Sequence, residues 1–196
     1  MVLIIQHRVN SLEKIKKIPE NYGIEIDIRS NNNKIILHHD LFEDSINIEE
    51  LLLIYKHKFL ILNIKEDGLE KEVINLMKKF KIENYFLLDS SFPTIVKLSS
   101  SGESRIAIRV SEFESFNTAL NMKGLAKWIW IDTFTKFPIS KLTYGKLKEN
   151  SYKLCLASPE LHGYDKKFVK NIRNQILNKE FVFDAICTKY PEIWLN

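Results

Sequence analysis

Short runs that are almost wholly apolar alternate with amphipathic stretches along the whole chain, the pattern expected of buried parallel strands separated by crossover helices. Val2–Gln6 reads as a strand, Ser11–Lys17 as a helix with Ser11 at its N-cap, and Gly23–Arg29 as a second strand. The polar turn Ser30–Asn33 leads into the alternating segment Lys34–His39, which predicts a hairpin extension on strand two. Asn47–Lys56 predicts a helix and Phe59–Lys65 a third strand. Asp67–Phe80 predicts a helix with Leu69, Val73, Met77 and Phe80 on one stripe. Tyr85–Asp89, Arg105–Arg109, Trp128–Asp132, Tyr152–Ser158 and Phe183–Thr188 are the remaining strands, separated by helical or loop segments near Thr94, Glu114, Ser140 and Asp165.

Eight strand–helix repeats predict an α/β fold of one domain over residues 1–196, a compact TIM (β/α)8 barrel with a small hairpin after strand two; a doubly wound open sheet is the competing architecture. A barrel ordinarily takes about 250 residues. With 196, some helices must be short, and the tail Tyr190–Asn196 has room for about two turns. No Gly-rich phosphate loop follows any strand, which argues against a dinucleotide or P-loop site and directs attention to the strand ends.

Composition narrows the class without naming a chemistry. At 45% hydrophobic and 28% charged residues, with 6 Gly and 5 Pro, the chain is of ordinary globular type. No apolar run approaches the roughly 18 residues of a membrane span, and Val2–Ile5 is interrupted by Gln6, His7 and Arg8, so no signal segment is expected and the location expected is cytoplasmic. Basic residues number 29 against 25 acidic, a net +4 too dispersed for a nucleic-acid surface. The lysine clusters 14/16/17, 78/79/81 and 166/167/170 fall on helical patterns and read as solvated faces. Cys155 and Cys187 lack metal-ligand spacing and are expected as reduced core thiols. Nothing in the pattern sets an oligomeric state.

The strand ends are polar: His7-Arg8, Glu25 and Asp27, His38-His39-Asp40, Asn63 and Lys65, Asp89, Arg109, Asp132, and Glu160 just beyond strand seven. Active sites of (β/α)8 barrels lie at these carboxyl ends. Glu25 and Asp27 are two apart on a strand and share a face, so they either flank a hard divalent ion such as Mg²⁺ or Ca²⁺ or form salt bridges to Lys or Arg; spacing leaves both open. Two histidines near this pair, His7 and His39, could exchange protons near neutral pH. His57 reads as a surface residue, and His162, in a loop, as either structural or functional.

The stretches Ile5-Gln6-His7-Arg8, Gly23-Ile24-Glu25-Ile26-Asp27-Ile28 and Ile36-Leu37-His38-His39-Asp40 resemble the His-Arg, Glu-x-Asp and His-Asp motifs of the glycerophosphodiester phosphodiesterase family, whose barrel is shared with phosphatidylinositol-specific phospholipase C and sphingomyelinase D. Cys187-Thr188-Lys189-Tyr190-Pro191 is similar to the Thr-Asp-x-Pro stretch closing that family's eighth strand, and the chain looks like a short bacterial subgroup. The resemblance implies His7 and His39 as general acid and base, Glu25, Asp27 and Asn63 around a divalent Mg²⁺ or Ca²⁺, Arg8 and Lys65 on phosphate charge, and Asp40 in support of His39. Three positions depart from it. Val9 stands where the family has Gly, Asn63 where it has a third metal carboxylate, and Lys189 where it has Asp. From position alone, Arg109, Asp132 and Glu160 are further candidates for substrate contact.

The function expected is therefore metal-dependent hydrolysis of a small glycerol-, sugar- or alcohol-linked phosphodiester by His/His acid–base catalysis. The alternative is a non-catalytic or weakly catalytic barrel that binds a phosphorylated metabolite or partner. Lyase chemistry that closes a cyclic phosphate would use the same residues.

Overall fold

The computed structural model describes residues 2–32, 34–41 and 43–195. Among them, eight parallel strands alternate with helices in a compact TIM-barrel fold, as the repeats predict. The chain divides into two compact units, Gln6–Ser101 and Met1–Ile5 with Gly102–Asn196.

In the unit Gln6–Ser101, β2 (Gly23–Asn31) pairs in parallel with β4 (Phe59–Ile64), and β4 with β5 (Tyr85–Leu88). The hairpin strand β3 (Lys34–Ile36) runs antiparallel to β2, with Arg29 opposite Ile36. It stops short of His38 and His39 because the chain turns there, the Leu37 N–H donating to Ile46 O at 3.1 Å. The turn is tighter than the predicted Ser30–Asn33, because Ser30 and Asn31 continue β2 opposite Ile35 and Lys34; Asn33 lies outside the described residues. Register places Asp27 beside Asn63 and Glu25 beside Ile61. Every residue of β4 is buried, as expected of a parallel strand covered on both faces. Helix α1 (Leu12–Ile15) is shorter than its pattern suggests, Lys16 and Lys17 forming a turn; Ser11 caps it as expected. Helix α2 (Ile48–Ile54) starts on an Asn47–Glu50 capping box. The next helix, α3 (Glu70–Lys79), begins later than Asp67 because Gly68 takes a φ of +101°, outside the helical range. Helix α4 (Phe92–Ser100) follows β5.

The other unit contains β1 (Leu3–Gln6, its last residue excepted) and the parallel run β6 (Ala107–Val110), β7 (Trp128–Ile131), β8 (Lys153–Ala157) and β9 (Ala185–Thr188). Between them stand α5 (Phe116–Asn121), α6 (Lys141–Glu149), a 3-10 turn at Pro159–His162 and α7 (Lys166–Asn178). A single turn, α8 (Pro191–Trp194), follows β9. Cys155 and Cys187 are buried free thiols, and burial pushes the Cys155 thiol up. No helix among the described residues is long and apolar enough to cross a membrane.

Glycine is scarce, and three helices end without it. Lys81, Ser151 and Glu180, just past α3, α6 and α7, have φ of 56°, 61° and 58°. The next residue of each closes the helix end with its N–H: Ile82 on Met77 O, Tyr152 on Leu147 O, and Phe181 on Ile176 O.

The loop after β7 is held by one carboxylate. Glu112 accepts from the N–H groups of Phe134, at 3.2 Å, Thr135 and Lys136, at 2.9 Å, and from the Thr135 hydroxyl. Partial burial pushes its carboxyl up, but these donors outweigh that and hold it down at about 2. A carboxyl lowered by folding stabilises above its unfolded value near 4.5, and that contribution is lost as pH falls towards 2. Glu112→Gln is therefore expected to melt a few degrees below wild type at pH 7, with the gap closing between pH 4.5 and 2. Thermal melts across that range check it; a constant gap would show that the charge is not responsible.

Candidate functional site

In Gln6–Ser101 the polar strand ends meet around two carboxylates. Glu25 and Asp27 project from the same face of β2 and are fully buried, with relative exposures of 0% each. Glu25 accepts the Arg8 main-chain N–H on Oε2 at 2.6 Å and the Asn63 amide N–H on Oε1 at 2.8 Å. The His7 Nε2 lies 3.8 Å from Glu25 Oε2. Asp27 is gripped by Asn10, whose Nδ2 donates to Asp27 Oδ2 at 2.8 Å while its Oδ1 accepts the Asp27 main-chain N–H at 2.9 Å. Two cations attend the same carboxylate: Arg8 Nε lies 3.4 Å from Asp27 Oδ2, and Lys65 Nζ 3.5 Å from Oδ1. Lys65 also reaches Asp89 Oδ2 at 3.6 Å.

The first loop is built by a left-handed residue. Arg8 has φ of 54°, which directs its own N–H to the Glu25 side chain and lets the Val9 N–H reach Glu25 O at 2.7 Å. Val9 is 1% exposed and lies outside the positive-φ residues, so the loop does not need glycine at that position. The unusual conformation sits on Arg8, a common place for strain to persist in functional sites.

Burial, reinforced by the negative charge of Asp27, pushes the Glu25 carboxyl up to about 7, against the opposing pull of Asn63, the Arg8 N–H and Lys65. No three of the described His, Cys, Asp and Glu side chains are arranged to hold an ion. Asn63 offers a third oxygen beside the two carboxylates: with its Nδ2 on Glu25, the Asn63 Oδ1 is buried and has no hydrogen-bond partner, and neither has Asp27 Oδ1. Two carboxylates and one amide carbonyl fit a hard divalent ion, with less negative charge than three carboxylates and hence lower affinity.

His39 follows the hairpin, and its Nδ1 donates to Asp40 Oδ1 at 2.7 Å. That hydrogen bond holds the Asp40 carboxyl below its usual range and leaves Nε2 as the outward nitrogen. His39 joins the cluster through its main chain: Arg29 Nε donates to His39 O at 3.0 Å.

The unit of residues 102–196 has a polar cluster of its own. Asp132, 2% exposed, accepts from Trp130 Nε1 at 3.2 Å, from the Thr133 N–H at 3.2 Å and from His162 Nε2, with Arg109 at 3.4 Å. His162 packs on Phe134 with ring centroids 4.6 Å apart. Glu160 is differently placed, buried at 3% exposure and accepting from the Ser158 and Thr188 hydroxyls and the Lys189 N–H. The structure thus joins Arg109 to Asp132 and gives Glu160 an internal set of partners.

Sequence reasoning missed Asn10 and Arg29 and left His162 open. Arg29 had a signal, because the period-two count that pairs Glu25 with Asp27 reaches it next. Asn10 and His162 act through side-chain contacts across the chain that no local pattern encodes.

No protein-family model matches the chain, and no curated protein matches its sequence. In structure it is similar to a glycerophosphodiester phosphodiesterase from Agrobacterium tumefaciens str. C58, with a TM-score of 0.65 and 13% identity over 99% of this chain and 97% of that one. It is similar also to a glycerophosphoryl diester phosphodiesterase from Parabacteroides distasonis ATCC 8503, with a TM-score of 0.67 and 14% identity over 98% of this chain and 84% of that one. The likeness is one of fold.

Proposed function

We propose that this chain is a divalent-metal-dependent phosphodiesterase acting on a small glycerol-, sugar- or alcohol-linked phosphodiester. The observation that carries the reading is the buried Glu25–Asp27 pair with His7 3.8 Å from Glu25 and His39 in the loop that follows the adjoining hairpin. The motif order and the fold of the neighbouring structures support it.

Arg8 and Lys65 bring positive charge to the phosphate. One imidazole takes the proton of the attacking water as its oxygen bonds to phosphorus; the other gives a proton to the leaving alcohol oxygen as the old P–O bond breaks. Asp40 orients His39 for one of these roles. Glu25, Asp27 and Asn63 would hold the ion, Mg²⁺ or Ca²⁺, which when bound polarises a phosphoryl oxygen. In the other unit, Arg109 with Asp132 is the candidate for further substrate contact. Glu160, whose carboxylate is taken up by Ser158, Thr188 and the Lys189 N–H, is the weakest of the substrate-contact candidates.

The test is turnover of a chromogenic phosphodiester and a glycerophosphodiester panel with Mg²⁺ or Ca²⁺ and with chelator. Hydrolysis that requires the ion is expected. Hydrolysis indifferent to chelation overturns the metal requirement. Saturable binding of phosphate esters without turnover overturns the enzyme in favour of a binding barrel, the reading that Asn63 in place of a carboxylate favours. Phosphorus NMR of the product separates hydrolysis from cyclic-phosphate formation.

A further inference from the structure

Arg29 is the third residue on the face that carries Glu25 and Asp27, and its guanidinium makes two long-range hydrogen bonds, both to main-chain carbonyls. Nε donates to His39 O at 3.0 Å and NH1 to Lys65 O at 3.2 Å. These two carbonyls belong to the residues proposed as acid–base group and phosphate contact. Among the described residues the loop from His39 to Asp44 is otherwise held by local hydrogen bonds: His39 to Asp40, Asp40 N–H to His38 Nδ1, and Ser45 N–H to Asp44. Behind it, the Ser45 hydroxyl on Leu37 O closes the loop at its root. Among the described residues, Arg29 is thus a hydrogen-bonded tie between the His39 loop and the end of β4.

We infer that Arg29 is a positioning residue that sets the placement of His39 relative to Lys65; the inference rests on the phosphodiesterase reading. A guanidinium presents its donors in a rigid planar fork, so one side chain fixes two carbonyls at once. Lysine supplies charge but no fork, and it would hold one carbonyl while releasing the other. Displacing an acid–base group by about 1 Å can cost on the order of 100-fold in rate while leaving substrate binding nearly intact.

A control lies in the same junction. Ser30 donates through its N–H, at 3.0 Å, and its hydroxyl, at 2.7 Å, to Glu66, tying the same two strands without touching His39. Arg29→Lys is therefore expected to lower kcat about 10- to 100-fold with KM little changed, while Ser30→Ala leaves both near wild type. Independently of turnover, the His39 Cε1–H NMR peak, assigned by its loss in His39→Gln, is expected to shift or broaden in Arg29→Lys. The His57 peak, from a ring held by Ile18 O at 3.1 Å, should stay in place and report an intact fold. Should Arg29→Lys lose that His57 peak, Arg29→Gln, which keeps a planar NH2 donor but not the fork, takes its place. An unmoved His39 peak, or equal kcat losses in the Arg29 and Ser30 variants, overturns the inference. A wild-type chain without phosphodiesterase activity overturns the proposed function instead, and the NMR comparison still decides whether Arg29 places His39.

Discussion

His39→Ala is expected to lower phosphodiester kcat by about 100- to 10,000-fold, the usual worth of a positioned general acid or base. The side chain is 39% exposed and, among the described residues, its ring bonds to the neighbouring Asp40, so the fold should tolerate its loss, and the melting temperature should stay within a few degrees of wild type. His7→Ala should show a loss of the same order, accompanied by some destabilisation, because that ring is only 10% exposed and sits against Glu25. The pH profile adds a sharper readout: one limb of a bell-shaped curve should flatten in each variant, and a different limb in each. If both variants keep more than half the wild-type rate, the two-imidazole mechanism is wrong whatever the metal requirement proves to be.

Glu160→Ala is expected to destabilise the fold by about 3–5 kcal/mol, because two hydroxyls and a main-chain N–H lose their acceptor at about 1–3 kcal/mol each. The carboxylate is 3% exposed and collects two hydroxyls and the Lys189 N–H; Ser158, one of those hydroxyls, in turn accepts from Trp194 Nε1 at 3.0 Å. Truncation leaves these groups buried without their acceptor, and the lost packing adds to the penalty. At this chain length the melting temperature should fall by roughly 10 °C. Glu160→Gln, which keeps the shape and an acceptor, should recover part of the loss. A Glu160→Ala variant that melts like wild type yet loses substrate affinity would restore the role that position alone suggested.

The eight strands are legible because a buried parallel strand reads as an unbroken apolar run; six lie within their predicted segments, while β2 runs on through Ser30 and Asn31 and β6 through Val110. Their starts were less so. Arg105 and Ile106 precede β6, and Phe183 and Asp184 precede β9: Ile106 and Phe183 are buried, and Ile106 O and the Asp184 N–H already bond to the neighbouring strands, so the apolar run starts ahead of the regular ladder. Helix α3 was placed three residues early, since the stripe counts Leu69 but cannot register the turn at Gly68. Within the site, period two was enough to pair Glu25 with Asp27. What Asn63 does with its amide was not legible: residue type allows it to donate or accept, and only the proximity of Glu25 makes Nδ2 the donor and turns the carbonyl the other way. Glu160 shows the converse limit. A carboxylate near a strand end looks like an outward group in sequence, whereas the 3-10 turn folds it back onto Thr188 and Lys189.

The left-handed residues Lys81, Ser151 and Glu180 bear on how the chain behaves when unfolded. Holding an L-residue in that conformation strains the native state by roughly 1–2 kcal/mol, which a glycine would relieve. The same glycine would give the denatured chain more conformations to lose on folding, a penalty of about 0.4–1 kcal/mol. The two effects oppose each other at all three helix ends, so in this sequence of 196 residues with only 6 glycines each ordinary side chain there gives up between nothing and about 1.6 kcal/mol against glycine. Its denatured ensemble is correspondingly narrower, and part of the strain stored at those helix ends is offset before folding begins.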